Sequence, residues 1–346
     1  MKKRCRRWTA KHGQKQGKRI NGFSMNKIWN LPLVEFLPFR ELVEKEPVLI
    51  VTTLPSWDAV KNQLGGVNIA AVMNVSLATT AHWDDLLASV KDKTFSRIFG
   101  VGGGLSADAA KYLAFRLSLP LTVLPTAFSV DAFLTSASGV RQDGCVVYIP
   151  TVVPERVVLD LPLISAAPAW IRAAGITDVL SIATGCWDWQ YAEQRGKNPP
   201  GMEFIPWVYH TAQSILQGSL DWAEAAGRGD IGGLKCLFDC LAMEVQLCNQ
   251  IGHARPEEGS EHYFAYCAEN FLGAGLLHGD LVGPGILRMA ERQGQPTDRL
   301  EKALRACHVR LDRISEDVTK QVVDELPAYC LRHDLPFGIA HVVGGG

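Results

Sequence analysis

No run of eighteen apolar residues occurs in this chain of 346, so no segment is long enough to cross a membrane as a helix. Net charge is nearly absent: 35 Lys and Arg stand against 36 Asp and Glu, a formal charge of -1, and nothing electrostatic calls for nucleic acid or a membrane surface as partner. None of the nine cysteines forms a C-x-x-C pair, and Cys236 and Cys240 share a helix face with leucines. They read as small, reduced core residues of a cytoplasmic protein. There is no internal repeat. Acids are missing from the first twenty residues, which carry Lys2, Lys3, Arg4, Arg6, Arg7, Lys11, Lys15, Lys18 and Arg19. That segment lacks the apolar centre of a secretory signal and the serines of an arginine-rich targeting sequence. Residues 1–24 are therefore expected to be a disordered tail, with Met25 directly before the first foldable stretch.

What is present is an ordinary globular composition, 47% apolar and 21% charged, in a chain longer than one hydrophobic core usually covers. It is organised around residues 96–111. Ile98 to Val101 is a short apolar run that reads as a buried strand. Gly102, Gly103 and Gly104 follow, and Ala107, Ala110, Ala114 and Leu117 then recur at helical spacing. A strand, a glycine turn and a helix bring backbone N–H groups and a helix N-terminus against a phosphate, with Ser106 as N-cap. The spacing is not G-x-G-x-x-G, and a tight turn with no ligand is the alternative. The next strand, Leu119 to Leu124, runs into Pro125–Ser138, where hydroxyl residues and Asp131 collect at a strand's carboxyl end. In open parallel sheets that is where ligands bind.

Further strands are expected over Val48–Thr53 and Asn68–Val75, with helical segments over Asp58–Leu64 and Trp83–Val90. Residues 26–45 read as an entry segment with one short helix. This alternation predicts an α/β domain with a parallel, Rossmann-like sheet over residues 25–161. Short strands around Asp143-Gly144 read as a hairpin. From residue 162 to 346 the pattern is helical, with segments at Ile176–Ala192, 205–226, 231–251, 260–272, 279–293, 297–308 and 315–333. An all-α second domain is expected there.

That helical half holds Asp178, His262 and His278. One carboxylate and two imidazoles suit a borderline divalent ion with open positions, although such distant residues form no metal signature by themselves.

Taken together, these stretches resemble the glycerol-1-phosphate dehydrogenases, within the iron-containing alcohol dehydrogenase and dehydroquinate synthase superfamily. G-G-G-x-x-x-D-x-A-K, Gly102 to Lys111, looks like the family's pyrophosphate loop, and P-T-x-x-S-x-D, Pro125 to Asp131, like its nicotinamide and substrate loop. G-x-x-D ending at Asp178, G-S-E-H ending at His262 and L-H-G around His278 look like its metal-ligand motifs. The resemblance implies NAD or NADP held by Gly102, Gly103, Gly104, Leu105, Ser106 and Asp108, with Thr126, Ala127, Phe128, Ser129 and Thr135 at its inner end. It implies one divalent metal, Zn²⁺ before Fe²⁺, on Asp178, His262 and His278, and a substrate hydroxyl on Asp131. The implied activity is hydride transfer to or from a small polar ketone or alcohol, dihydroxyacetone phosphate, glycerol-1-phosphate or a relative. A homo-oligomer is compatible with it. The competing activity is an NAD-using sugar-phosphate cyclase resembling dehydroquinate synthase. Those cyclases typically carry Glu at the position of Asp178 and Lys three residues on, where this chain has Asp178-Val-Leu-Ser181.

Two departures concern the substrate. Leu105 stands where the family often has Lys, and Tyr266, one turn after His262, where it usually has a substrate-contacting His. Tyrosine cannot become cationic near neutral pH, which removes a partner for a phosphate. Tyr266 is thus expected to border the metal pocket, and the preferred substrate to be less anionic than glycerol-1-phosphate. For the basic segment, a chain beginning at Met25 should keep its melting temperature and dinucleotide affinity; a large fall in either would make the segment part of the fold.

Overall fold

Apolar runs form the inner strands of the sheet, and the helical segments between them let these strands run parallel. The computed structural model describes Ile28, residues 30–273 and residues 275–343; the expectation about residues 1–24 lies outside the described residues. The strands are β1 (Leu33–Phe36), β2 (Glu44–Thr52), β3 (Val67–Asn74), β4 (Arg97–Gly102), β5 (Leu121–Pro125), β6 (Ala137–Gln142), β7 (Cys145–Pro150) and β8 (Arg156–Leu159). Six of them make one parallel sheet in the order β1-β8-β5-β4-β2-β3. β6 and β7 form a separate antiparallel hairpin, with Asp143 and Gly144 at its tip at φ 53° and 76°, the positive pair that a tight hairpin turn requires.

Helices α1 (Leu54–Val60), α2 (Thr80–Ala88) and α3 (Gly104–Leu117) lie between the strands. After β8 the described chain is helical: α4 (Leu161–Ser165), α5 (Ala169–Arg172), α6 (Ile176–Leu180), α7 (Ile182–Gln194), α8 (Pro206–Arg228), α9 (Ile231–Ile251), α10 (Ser260–Leu272), α11 (His278–Arg292), α12 (Asp298–Ala306) and α13 (Glu316–Arg332). None among the described residues is long and apolar enough to cross a membrane. A parallel sheet followed by a helical portion is the fold class expected from the sequence.

Both faces of the sheet are covered, so successive strand residues enter different cores. Val48, Ile50, Phe99, Val101, Leu124 and Val158 pack with Phe39, Leu42, Val60 and Leu64 on one side. Leu49, Val51, Ile98, Val123 and Val157 pack on the other, in a cluster that continues into the helical half.

Three local readings are corrected. Residues 33–36 are an edge strand beside β8, where only an entry segment and a short helix were expected; the helix is a single 3-10 turn, Phe39–Glu41. β2 begins before Pro47, and its register with β3 shifts between Glu44 and Val48, around a residue with no N–H to offer the ladder. The helix expected from Ile176 to Ala192 is interrupted at Ser181, whose hydroxyl donates back to the Thr177 carbonyl at 2.8 Å.

α3 lies so close to β4 that a Cβ at Gly100 would stand 2.7 Å from the Ala110 Cβ. Gly100→Val should force the helix off the strand and lower stability by about 1–3 kcal/mol, read as an earlier urea midpoint. An unchanged midpoint would show that this contact does not set the helix position.

Candidate active site

β4 ends at Gly102, at φ 133°, and Gly103 is the N-cap of α3. The first helical hydrogen bond is Ala107 N–H to Gly103 O, which leaves the N–H groups of Gly104, Leu105 and Ser106 without an intrahelical acceptor. Ser106 is therefore not the N-cap expected from the sequence; it lies within the first turn. Its buried hydroxyl has no hydrogen-bond partner and is 2.8 Å from where a Gly102 Cβ would be. A Cβ on Gly103 would meet the Ser129 hydroxyl at 2.9 Å, and one on Gly104 the Val130 side chain at 2.9 Å. Free N–H donors, an orphaned hydroxyl and a cradle that side chains would fill fit a pyrophosphate.

The 125–138 loop carries the site from this turn to the helical half in three consecutive residues. Ser129 and Val130 stand against Gly103 and Gly104, and the Asp131 N–H donates to Asp178 Oδ2 at 2.9 Å. Phe128 holds the loop there: its N–H donates to Arg172 O at 3.0 Å and its carbonyl accepts the Gly175 N–H at 2.8 Å.

Asp178 from α6, His262 from α10 and His278 from the start of α11 converge, with one donor atom of each within 4.8 Å of the others. His278 Nε2 lies 2.9 Å from Asp178 Oδ1, and the imidazole centroids are 5.2 Å apart. His262 Nδ1 is 2.9 Å from Glu261 Oε1, which leaves Nε2 for the cluster. Burial opposes a charge on His262, but the bond to Glu261 and the charges of Glu261, Glu258 and Asp178 outweigh it and push its pKa up to about 9. Two imidazoles and a carboxylate, one imidazole already oriented by a buried carboxylate, fit a divalent metal.

Several expected residues are engaged with other partners. Asp108 and the Thr135 hydroxyl lie at 3.0 and 2.9 Å from the ammonium of the fully buried Lys111. Ala127 is buried, and the Phe128 ring belongs to the core with Phe133 and Phe238. Thr126 reaches the Ser56 hydroxyl at 3.5 Å, and Leu105 packs against the core. The Tyr266 ring stands 6.0 Å from His262, and its hydroxyl donates to Glu258 at 2.8 Å and lies 3.0 Å from the Tyr148 hydroxyl.

Sequence reasoning missed three carboxylates. Glu261 was visible only as the neighbour of His262. Glu244 of α9 and Glu257, before α10, place a carboxylate oxygen within 4.8 Å of each other and of Asp131. Burial, followed by the Glu257 charge, raises the Glu244 pKa well above the usual range, and burial, followed by the charges of Asp131 and Asp178, does the same to Glu257. Burial and the Asp178 charge raise that of Asp131.

Residues 50–168 match the family model described as "Iron-containing alcohol dehydrogenase". That match, this fold and this arrangement of motifs make the chain similar to the iron-containing alcohol dehydrogenase superfamily. Within it, the chain is similar to glycerol-1-phosphate dehydrogenase [NAD(P)+] of Sulfurisphaera tokodaii, at 27% identity over 68% of this chain and 66% of that protein. It is also similar to that of Methanosarcina mazei, at 27% over 77% and 75%. The match to the Methanothrix thermoacetophila enzyme reaches 63% of its length, so the chain spans roughly two thirds of such relatives. A solved structure of a probable glycerol dehydrogenase from Sinorhizobium meliloti shares the fold, with a TM-score of 0.67, 18% identity and coverage of 90% of this chain and 92% of that one.

Glu261→Gln should weaken metal binding by about 10–100-fold, since it removes the carboxylate that orients and charges the His262 ring. Competition with a chromophoric chelator measures it; an unchanged affinity would mean Glu261 does not support the ligand.

Proposed function

We propose that the protein is an NAD(P)-dependent, metal-dependent oxidoreductase that transfers hydride between the nicotinamide and a small polar ketone or alcohol, in the manner of glycerol-1-phosphate dehydrogenase. One observation carries this: Ser129, Val130 and Asp131 run directly from the phosphate cradle to the carboxylate of the metal cluster. A dinucleotide lying along that loop would end beside Asp178, His262 and His278.

The bound metal would supply Lewis-acid polarisation of the substrate oxygen, and two imidazoles with one carboxylate suit Zn²⁺ or Fe²⁺. The chain's own residues do the rest. The first turn of α3 and Ser106 hold the pyrophosphate. Ser129 lines the path of the dinucleotide. Asp131, fixed through its backbone on Asp178, takes a substrate hydroxyl. Glu261 keeps His262 turned toward the cluster, and the buried Phe128 and Phe133 keep the loop seated. Eight free cysteines among the described residues support a cytoplasmic location.

Metal-loaded protein should oxidise NADH or NADPH in the presence of dihydroxyacetone or its phosphate. His262→Ala and His278→Ala should both lose stoichiometric metal and turnover while keeping dinucleotide affinity. Gly103→Val should do the reverse, keeping the metal and losing nicotinamide dinucleotide strongly in calorimetric titration. A protein with one metal and tightly bound dinucleotide that reduces no ketone or aldehyde would overturn the proposal.

A further inference from the structure

Glu244 is 1% exposed, and neither of its carboxylate oxygens has a hydrogen-bond partner. Glu257 Oε2 is likewise buried and unpartnered. These side chains come from two separate elements, and with Asp131 of the 125–138 loop they set three carboxylate oxygens within 4.8 Å of one another. Lys111 binds Asp108, Thr135 and the Ala137 carbonyl, and Arg255 donates to Phe337 O, while its Nε and Nη1 are buried and unpartnered. Asp131 and Glu257 are half-buried, and Glu244 is buried.

We propose that Asp131, Glu244 and Glu257 form a substrate subsite for a primary ammonium group, so that the preferred substrate is a small amino alcohol or amino ketone. This rests on the reading that substrate lies beside Asp178, His262 and His278. Crowded, buried acids are costly to ionise, and a compact cation among them relieves that cost. An ammonium group has three N–H donors; with charge-assisted bonds of about 2.8 Å, tetrahedral geometry spaces the acceptors about 4.6 Å apart. Three oxygens that all lie within 4.8 Å of each other are close enough for one ammonium group to reach them all. Asp131 places the subsite next to the metal ligands, because its N–H is bonded to Asp178. The same cluster rejects a phosphate, and the neighbouring Tyr266, bonded to Glu258, adds no positive charge to offset it. In the reaction the carbinol carbon gives a hydride to NAD(P)⁺ and its hydroxyl gives a proton to solvent, while the ammonium stays unchanged.

The test is a charge series at one position: 3-aminopropane-1,2-diol, glycerol and glycerol-1-phosphate, titrated calorimetrically and assayed with the metal-loaded holoprotein. The amine should bind tightest and have the highest kcat/KM. Glu244→Gln and the half-buried Glu257→Gln should each lower the ratio of amine to glycerol affinity at least tenfold, with metal content and melting temperature retained. Amine binding lost in both variants, without turnover of any of the three, would uphold the subsite and overturn the oxidoreductase reading. Best turnover of glycerol-1-phosphate would uphold the oxidoreductase and overturn the subsite. An unchanged ratio in both variants, or a second equivalent of Mg²⁺ or Mn²⁺ that Glu244→Gln removes, would also overturn it.

Discussion

The two oxygens of Asp178 hold the site together. Oδ2 accepts the Asp131 N–H from the loop after β5, and Oδ1 faces His278 at the head of α11. One side chain thus joins the loop after β5 to the helical half. The link does not stand alone. Phe128 exchanges backbone hydrogen bonds with Arg172 and Gly175, and its ring packs in the core, so the loop reaches Asp178 already positioned. On the far side Asp188 does similar work. Its carboxylate accepts the Ser260 N–H, the Gln293 amide and the Ile339 N–H, tying α7 to the start of α10, the end of α11 and the last turn of the chain. His262 follows Ser260 by two residues and takes its position from that junction.

Much of the fold was legible because burial on both faces of the sheet leaves apolar runs that only strands of that length satisfy. β1 was not, since Leu33-Val-Glu-Phe36 lies at the edge with its end residues exposed and one acid at its centre. Its place is fixed by the distant β8, whose Arg156 guanidinium donates to Glu35. Helix ends depended on local chemistry that side-chain spacing does not encode, as at Ser181. Ser106 was misplaced by a few residues because glycines, which cap with no side chain at all, hide the true N-cap.

The site divides in the same way. Asp178, His262 and His278 are far apart in sequence, and only their resemblance to known motifs brought them together before the fold did. Glu244 carried a signal of its own. It lies three or four residues from Cys240, Leu241, Leu247 and Cys248, all buried, so an acid sits on the apolar stripe of α9. A charge in such a stripe must be paired, neutralised or functional, and the sequence alone offers no partner. Glu257 had no comparable signal, because loop residues carry no periodicity from which burial can be read.

Asp131 serves two neighbours through different atoms, and this constrains how a substrate can sit. Its N–H is bound to the Asp178 carboxylate, while its own carboxylate belongs to the group with Glu244 and Glu257. A substrate held by both would span a distance set by the width of one residue. The peptide preceding Asp131 continues to Val130 and Ser129, which stand against Gly104 and Gly103, so a dinucleotide held at that turn would be tied to the same backbone. Cofactor, reacting oxygen and a remote polar group would therefore be placed by a single short segment. Its conformation is held by buried aromatic packing and backbone hydrogen bonds. Reacting atoms must approach within about 3–3.5 Å in alignment, and small misplacements cost large factors in rate. A rigid segment common to all three meets that demand with fewer independent adjustments than separate loops would.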